Sequence, residues 1–121
     1  MMILTSPEKA KEFFDAKINF TTGPVELKQI MDSNENINIV DVRAPEDFAI
    51  GHIPGAINLP KQDWSTHAGL KNDRVNIVYC YSEVCHLAAA AAREFAEHGF
   101  AVMELEGGFE EWQRYNMPIG T

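Results

Sequence analysis

Two textures alternate along the chain. "INIVDV" (Ile37 to Val42) and "VNIVYC" (Val75 to Cys80) are short, almost unbroken apolar runs. Such runs mark strands covered on both faces, as in a parallel sheet. "AVMEL" (Ala101 to Leu105) reads the same way, and "INFTTG" (Ile18 to Gly23) as a further short strand. Between them lie amphipathic stretches with helix punctuation. "SPEKAKEFFDAK" opens on Ser6 as an N-cap, with Pro7 at the first helical position and Glu8 next, and Phe13 and Phe14 give it an apolar side. "PVELKQIMDSNEN" begins a helix at Pro24, and "VCHLAAAAAREFAEHG" predicts a helix from Val84 to His98 with Gly99 past its end. "GFEEWQRYN" predicts a closing helix over Gly108 to Asn116, with Trp112 in the core.

Strands alternating with helices, the strands nearly all apolar, predict an α/β domain with a central parallel sheet and helices on both faces. An extra N-terminal helix precedes it, so that residues 1–17 form an extension and residues 18–121 the domain proper. In such sheets, sites form beyond the carboxyl ends of the strands. Cys80 closes one strand and Asp41 nearly closes another.

Composition narrows the function classes. The 121 residues, 45% hydrophobic and 23% charged, suffice for one core without disulfide staples. The opening "MMILTSPEKA" lacks a basic n-region and an apolar h-region, and no apolar run is long enough for a bilayer. The expectation is a cytoplasmic protein without a membrane partner. A formal net charge of −8 repels polyanions, so nucleic acid is not an expected partner.

The chemistry gathers in "CYSEVCHLAAAAA", which holds both cysteines, Cys80 and Cys85. With a strand ending at Cys80, Ser82 as N-cap and a helix from Val84, the first amides of the helix point back at the Cys80 sulfur, a setting that favours a thiolate. Cys80 is then a nucleophile. Equally, free cysteine is among the most buried residue types, and Cys80 then only closes a strand. A metal site is not expected, since Cys80, Cys85 and His86 fall short of four ligands and no second cluster completes them. A Cys80–Cys85 disulfide would be transient in a reducing compartment.

"DVRAPEDFAIGHIPGAINLP" (Asp41 to Pro60), followed by "CYSEVCHLA" and "LEGGFEEW", resembles the rhodanese sulfurtransferase family from about Phe20 to Pro118. The resemblance implies a rhodanese-like single domain, an α/β fold whose central, mostly parallel sheet is five-stranded with helices on both faces, and a ping-pong transfer. The cysteine matching Cys80 takes a sulfane sulfur from a donor, carries it as a persulfide, and yields it to a thiophilic acceptor. The loop Tyr81, Ser82, Glu83, Val84, Cys85 and His86 is its cradle, of sulfurtransferase length; the related phosphatases have one residue more. No cofactor is implied, and the partners are a small-molecule or protein-borne sulfur donor and a thiol acceptor.

Supporting residues have physical readings of their own. Arg43 is expected to pair with Glu46 or Asp47 and so pin the turn after Asp41, and His52 to fix its loop by hydrogen bonding. Pro54-Gly55 forms a turn, Gly51 ends a short helix begun at Pro45, and Gly107 and Gly108 allow close backbone approach beside the site.

The loop departs from the family where glycine, arginine and serine or threonine are usual, and carries Glu83, Cys85 and His86 instead. Without arginine's bidentate fork, and with Glu83 beside the sulfur, a dianion such as thiosulfate is expected to be a poor donor. Cys85 is expected on the first helical turn, either packing or resolving a Cys80 persulfide as a disulfide, and His86 either lies on the surface or acts as a nearby cation. Two other classes stay in view: a weakly active binding or regulatory module, and a thiol redox protein using Cys80 with Cys85.

Overall fold

The computed structural model describes residue 4 and residues 6–121; residues 1–3 and 5 of the expected N-terminal extension lie outside the described residues. Eleven elements follow in order. They are α1 (Pro7–Phe20), β1 (Thr21–Thr22), α2 (Pro24–Asp32), β2 (Ile37–Asp41), α3 (Pro45–Ile50), β3 (Ile57–Asn58), a 3-10 turn (Lys61–Thr66), β4 (Val75–Tyr79), α4 (Leu87–Glu97), β5 (Val102–Leu105) and α5 (Gly108–Arg114). The five strands form one sheet in the order β1-β5-β4-β2-β3, and every pairing is parallel.

Successive side chains of a strand point to opposite faces, so each apolar run feeds two cores. Ile39, Ile77, Tyr79 and Leu105 face one side, where Leu27 of α2 and Phe109 and Trp112 of α5 cover them. Val40, Val78 and Cys80 face the other, against Ala88, Ala91 and Phe95 of α4 and Trp64 of the 3-10 turn. The alanines let α4 lie close to the sheet. Helices on both faces of a parallel sheet are as expected.

Local signals mostly act as read. Ser6 accepts the Lys9 amide at 3.3 Å as N-cap of α1, and Pro24 starts α2. Gly99 takes φ +87° past the end of α4, where the Phe100 amide closes on the Phe95 carbonyl at 3.1 Å. Two boundaries differ. The strand expected over residues 18–23 shrinks to Thr21–Thr22, because α1 continues to Phe20 and Thr21 closes it, backbone and hydroxyl both donating to the Lys17 carbonyl. The strand β3, within "AINLP", had no apolar run to announce it; two residues suffice because they only edge the sheet beside β2. Along α1 no residue is buried, and Phe13 remains 62% exposed. Among the described residues no helix is long and apolar enough to cross a membrane.

Candidate active site

The carboxyl edge of the sheet carries a buried ion pair. Asp41 ends β2 fully buried, and Arg43 turns back onto it: Nε donates to both carboxylate oxygens at 3.1 and 3.0 Å and Nη2 to one at 2.8 Å. Nη2 also donates to the Gly51 carbonyl at 2.6 Å, and the guanidinium lies 4.2 Å from the Phe109 ring centroid. Burial opposes the charge on Arg43, but Asp41 outweighs it and the net shift strengthens the guanidinium's hold on its proton. The expected partners of Arg43 are therefore corrected. Glu46 is exposed, and Asp47 instead accepts the Tyr81 hydroxyl at 2.5 Å. A buried guanidinium needs an equally buried carboxylate, and Asp41 supplies it.

His52 fixes its loop by hydrogen bonds, as expected. Nδ1 pairs with the Phe48 carbonyl at 2.8 Å, and the backbone exchanges two bonds with Gly120. Gly51 follows α3, and Gly55 turns at φ +84° after Pro54.

The cysteine loop starts one residue beyond β4. Its floor is Gly108, at φ +61°: a Cβ there would stand 2.6 Å from the Cys80 carbonyl oxygen and 2.9 Å from the Ser82 nitrogen. The amides of Phe109 and Glu110 donate to the carbonyls of Cys80 and Tyr81, each at 2.9 Å. Gly107 precedes it at φ +82°. Gly108 thus permits the close backbone approach, whereas a Cβ at Gly107 would first meet the Glu111 side chain. Gly108→Ala should cost about 1–2 kcal/mol from backbone handedness alone, and more as residues 80–82 move aside. Thermal unfolding and alkylation of Cys80 measure the two effects: a lower Tm together with a more reactive Cys80 is the expected result.

Above this floor the loop departs from expectation. Ser82 does not cap α4; its carbonyl accepts the Cys85 amide at 3.1 Å in a turn, and His86 is the residue before the helix, without a side-chain cap. Cys85 accordingly sits ahead of α4 and not on its first turn. The backbone amides of Ala88, the second residue of α4, and of Ser82 pull the pKa of the Cys80 thiol down. They do not prevail. Burial, followed by the hydrogen bond with Cys85, pushes the thiol up to about 11, and Cys80 is only 2% exposed. Its S–H donates to the Cys85 carbonyl at 3.4 Å. Of the two readings the sequence left open for Cys80, an exposed thiolate or a buried residue closing a strand, the burial matches the second, and burial is the first cause that raises the thiol's pKa.

Cys85 is the opposite case. Burial raises its pKa, but the Cys80 thiol and the amides of Leu87 and Tyr81 outweigh burial, and the net shift is downward. It is half-buried and lines a cleft of about 290 Å³ with Ser82, Glu83, His86, Ala89, Glu104, Glu106 and Gly107. His86 bears on Glu104, whose own pKa is raised by burial first and then by Glu106. Val84 stands in solvent, 86% exposed. Glu104 and Glu106, which the sequence reading passed over, carried a signal: charges at the carboxyl end of a parallel strand. A second cleft, of about 460 Å³, opens beside Arg43, Asp47, Tyr81 and Phe109. Among the described residues, no three His, Cys, Asp or Glu side chains converge as a metal site.

The chain is similar to known proteins. The rhodanese-like domain profile matches residues 23–115. The thiosulfate sulfurtransferase GlpE of Ectopseudomonas mendocina is 42% identical over 79 residues, 62% of this chain and 69% of that protein. The HTH-type transcriptional regulator Rv0324 of Mycobacterium tuberculosis is 37% identical over 84 residues, 69% of this chain but only 37% of that protein. The chain likewise spans about a quarter of the probable adenylyltransferase/sulfurtransferase MoeZ of the same species. The crystal structure of the BH2092 protein from Bacillus halodurans superposes with a TM-score of 0.85 at 34% identity, covering 95% of this chain and 86% of that one.

Proposed function

The chain belongs to the rhodanese-like domain family, and from that premise we propose that it is a sulfurtransferase which holds a sulfane sulfur as a persulfide on Cys80. One observation carries the reading: at the carboxyl edge of a parallel sheet the Cys80 sulfur sits against Ala88 at the start of α4, in a loop fastened to Gly108, where the backbone amides of Ser82 and Ala88 favour its ionised form. Amides so fixed stabilise an anion without having to reorganise. A persulfide ends in a sulfur that ionises more readily than a thiol, and it would reach further into that cradle than Cys80 Sγ itself. Asp41 and Arg43 are supporting residues in this reading, since they hold Phe109 and hence the floor of the loop. Tyr81 hydrogen-bonds to Asp47 and to the Ala44 amide, tying the loop to α3. The work would be done in the cytoplasm, on a persulfide donor and a thiol acceptor. Residues 1–17 are an extension in this reading, since α1 buries none of its side chains and the family match begins at residue 23.

The test is direct. Reduced protein incubated with an alkyl persulfide, such as benzyl persulfide, should gain the mass of one sulfur, and peptide mapping should find it on Cys80. Cyanide should then strip it off as thiocyanate. Protein that gains no sulfur from any persulfide or polysulfide would be a binding module, and the proposal would fall.

A further inference from the structure

Cys80 and Cys85 share one loop but not one environment. The Cys80 side chain is packed among Val78, Ala88 and Ala91, with 2% of the residue exposed, and it lines neither of the two clefts beside the loop. Cys85 is half-buried and forms part of the wall of the 290 Å³ cleft. The two are joined: Cys80 S–H donates to the Cys85 carbonyl, and the thiols act on each other's ionisation. A reagent arriving from solvent meets Cys85 first.

We propose that Cys85 is the port through which sulfane sulfur is taken up and released, and that Cys80 is the position at which it is stored. This rests on the sulfurtransferase reading and adds its route. In the first step the Cys85 thiolate attacks the outer sulfur of a donor persulfide R–S–SH. A bond forms from Cys85 Sγ to that sulfur, the donor's S–S bond breaks, and R–S⁻ leaves with the bonding pair, giving Cys85–S–SH. In the second step Cys80 attacks the same outer sulfur. The Cys85–S bond breaks as the Cys80–S bond forms, and the proton given up by the Cys80 thiol passes to the departing Cys85 sulfur. The products are Cys80–S–SH and a free Cys85 thiol. The sulfane sulfur keeps its oxidation state throughout, so neither step needs an oxidant or reductant. Release to an acceptor thiol retraces the two steps.

Ionisation favours the same order. The attacking group must be a thiolate, and Cys85 is the thiol whose pKa is lowered while Cys80 is held up to about 11. Storage at Cys80 then removes a reactive persulfide from water and places it against the Ser82 and Ala88 amides.

Benzyl persulfide provides the test, with wild type, Cys85→Ser and Cys80→Ser followed by quenched peptide mapping. Wild type should end with sulfur on Cys80, and Cys80→Ser should carry it on Cys85. Cys85→Ser should load Cys80 at least ~10-fold more slowly, a difference set by the smaller thiolate fraction and poorer access. The wild-type loading rate should reach half its plateau below the ordinary thiol pKa, whereas that of Cys85→Ser should keep rising above it, because burial, the largest cause of the upward shift on Cys80, remains when the Cys85 thiol is gone. Cys80→Ala replaces Cys80→Ser should the hydroxyl upset the core. Should Cys85→Ser load at the wild-type rate while Cys80→Ser takes up nothing, sulfur goes straight to Cys80: the port is overturned and the sulfurtransferase reading stands. No uptake by wild type would overturn both.

Discussion

Arg43→Met should destabilise the fold by about 3–5 kcal/mol, the range seen when one partner of a buried ion pair is removed. Asp41 is wholly buried and Arg43 nearly so, and three of the bonds between them run from guanidinium nitrogens to the carboxylate. Methionine fills similar space but supplies no donor. Asp41 would then keep only the Arg43 backbone amide at 2.8 Å and the neighbouring Tyr79 hydroxyl, and the Gly51 carbonyl would lose its 2.6 Å donor. Domains of this kind have about 5–15 kcal/mol in total, so the loss is a large part of the whole. With an m-value of about 1–3 kcal/mol/M, the urea midpoint should fall by at least about 1 M. Asp41→Leu combined with Arg43→Met should recover much of the loss, because no unpaired charge is left inside. A single-variant effect under about 1 kcal/mol would mean that the pair is solvated in solution, contrary to its burial.

The consequence reaches the cysteine loop through packing. Arg43 lies over Phe109 at 4.2 Å, and Phe109 follows Gly108, on which Cys80, Tyr81 and Ser82 rest. A loosened Arg43 frees the start of α5, and with it the floor under Cys80. Reactivity of Cys80 toward alkylation should therefore rise in Arg43→Met under conditions where the protein is still folded.

This chain of contacts also marks what could be read from the sequence. The apolar runs "INIVDV" and "VNIVYC" announced β2 and β4 because their burial on both faces leaves an unbroken hydrophobic signature. Gly108 announced a close approach because only glycine accepts both the left-handed backbone and the absent Cβ. The partner of Arg43 was not legible. Asp41, Glu46 and Asp47 are all near in sequence, and only the depth of the pocket under α3 decides among them. The state of the thiols was hidden for a similar reason. Helix-end amides near Cys80 could be inferred from spacing, but α4 begins at Leu87, and the side chain of Cys80 points into the core against Ala88 and Ala91. Burial and amide donors oppose each other, and their balance is a three-dimensional quantity.

Thiosulfate should be used about tenfold less efficiently than an alkyl persulfide monoanion, measured as kcat/KM with cyanide as acceptor. The relative from Ectopseudomonas mendocina is named for thiosulfate, so the difference has to come from residues of this loop and its cleft. Position 85 holds a thiol where the family's loop has arginine, which removes the bidentate donor for an oxyanion. The cleft in front of Cys85 is bounded by Glu83, Glu104 and Glu106. Lys17 forms an ion pair with Glu106, which leaves Glu83 and Glu104 facing the incoming group. Each carboxylate at several ångströms repels each unit of charge by of order 1 kcal/mol at an intermediate dielectric. For a dianion and two carboxylates, after screening, about 3 kcal/mol remains, close to two powers of ten. A persulfide, ionised to a monoanion at neutral pH, feels about half of it, so about 1.5 kcal/mol, close to one power of ten, separates the two donors. Raising ionic strength from about 0.01 M to about 1 M shortens the screening length from about 30 Å to about 3 Å, so the thiosulfate rate should climb several-fold and the ratio of the two rates should narrow. Glu83→Gln together with Glu104→Gln should narrow it further. Rates within about twofold of each other at low salt, with no response to ionic strength, would show that the cleft's charge does not select the donor, and selection would then have to lie in the shape of the loop.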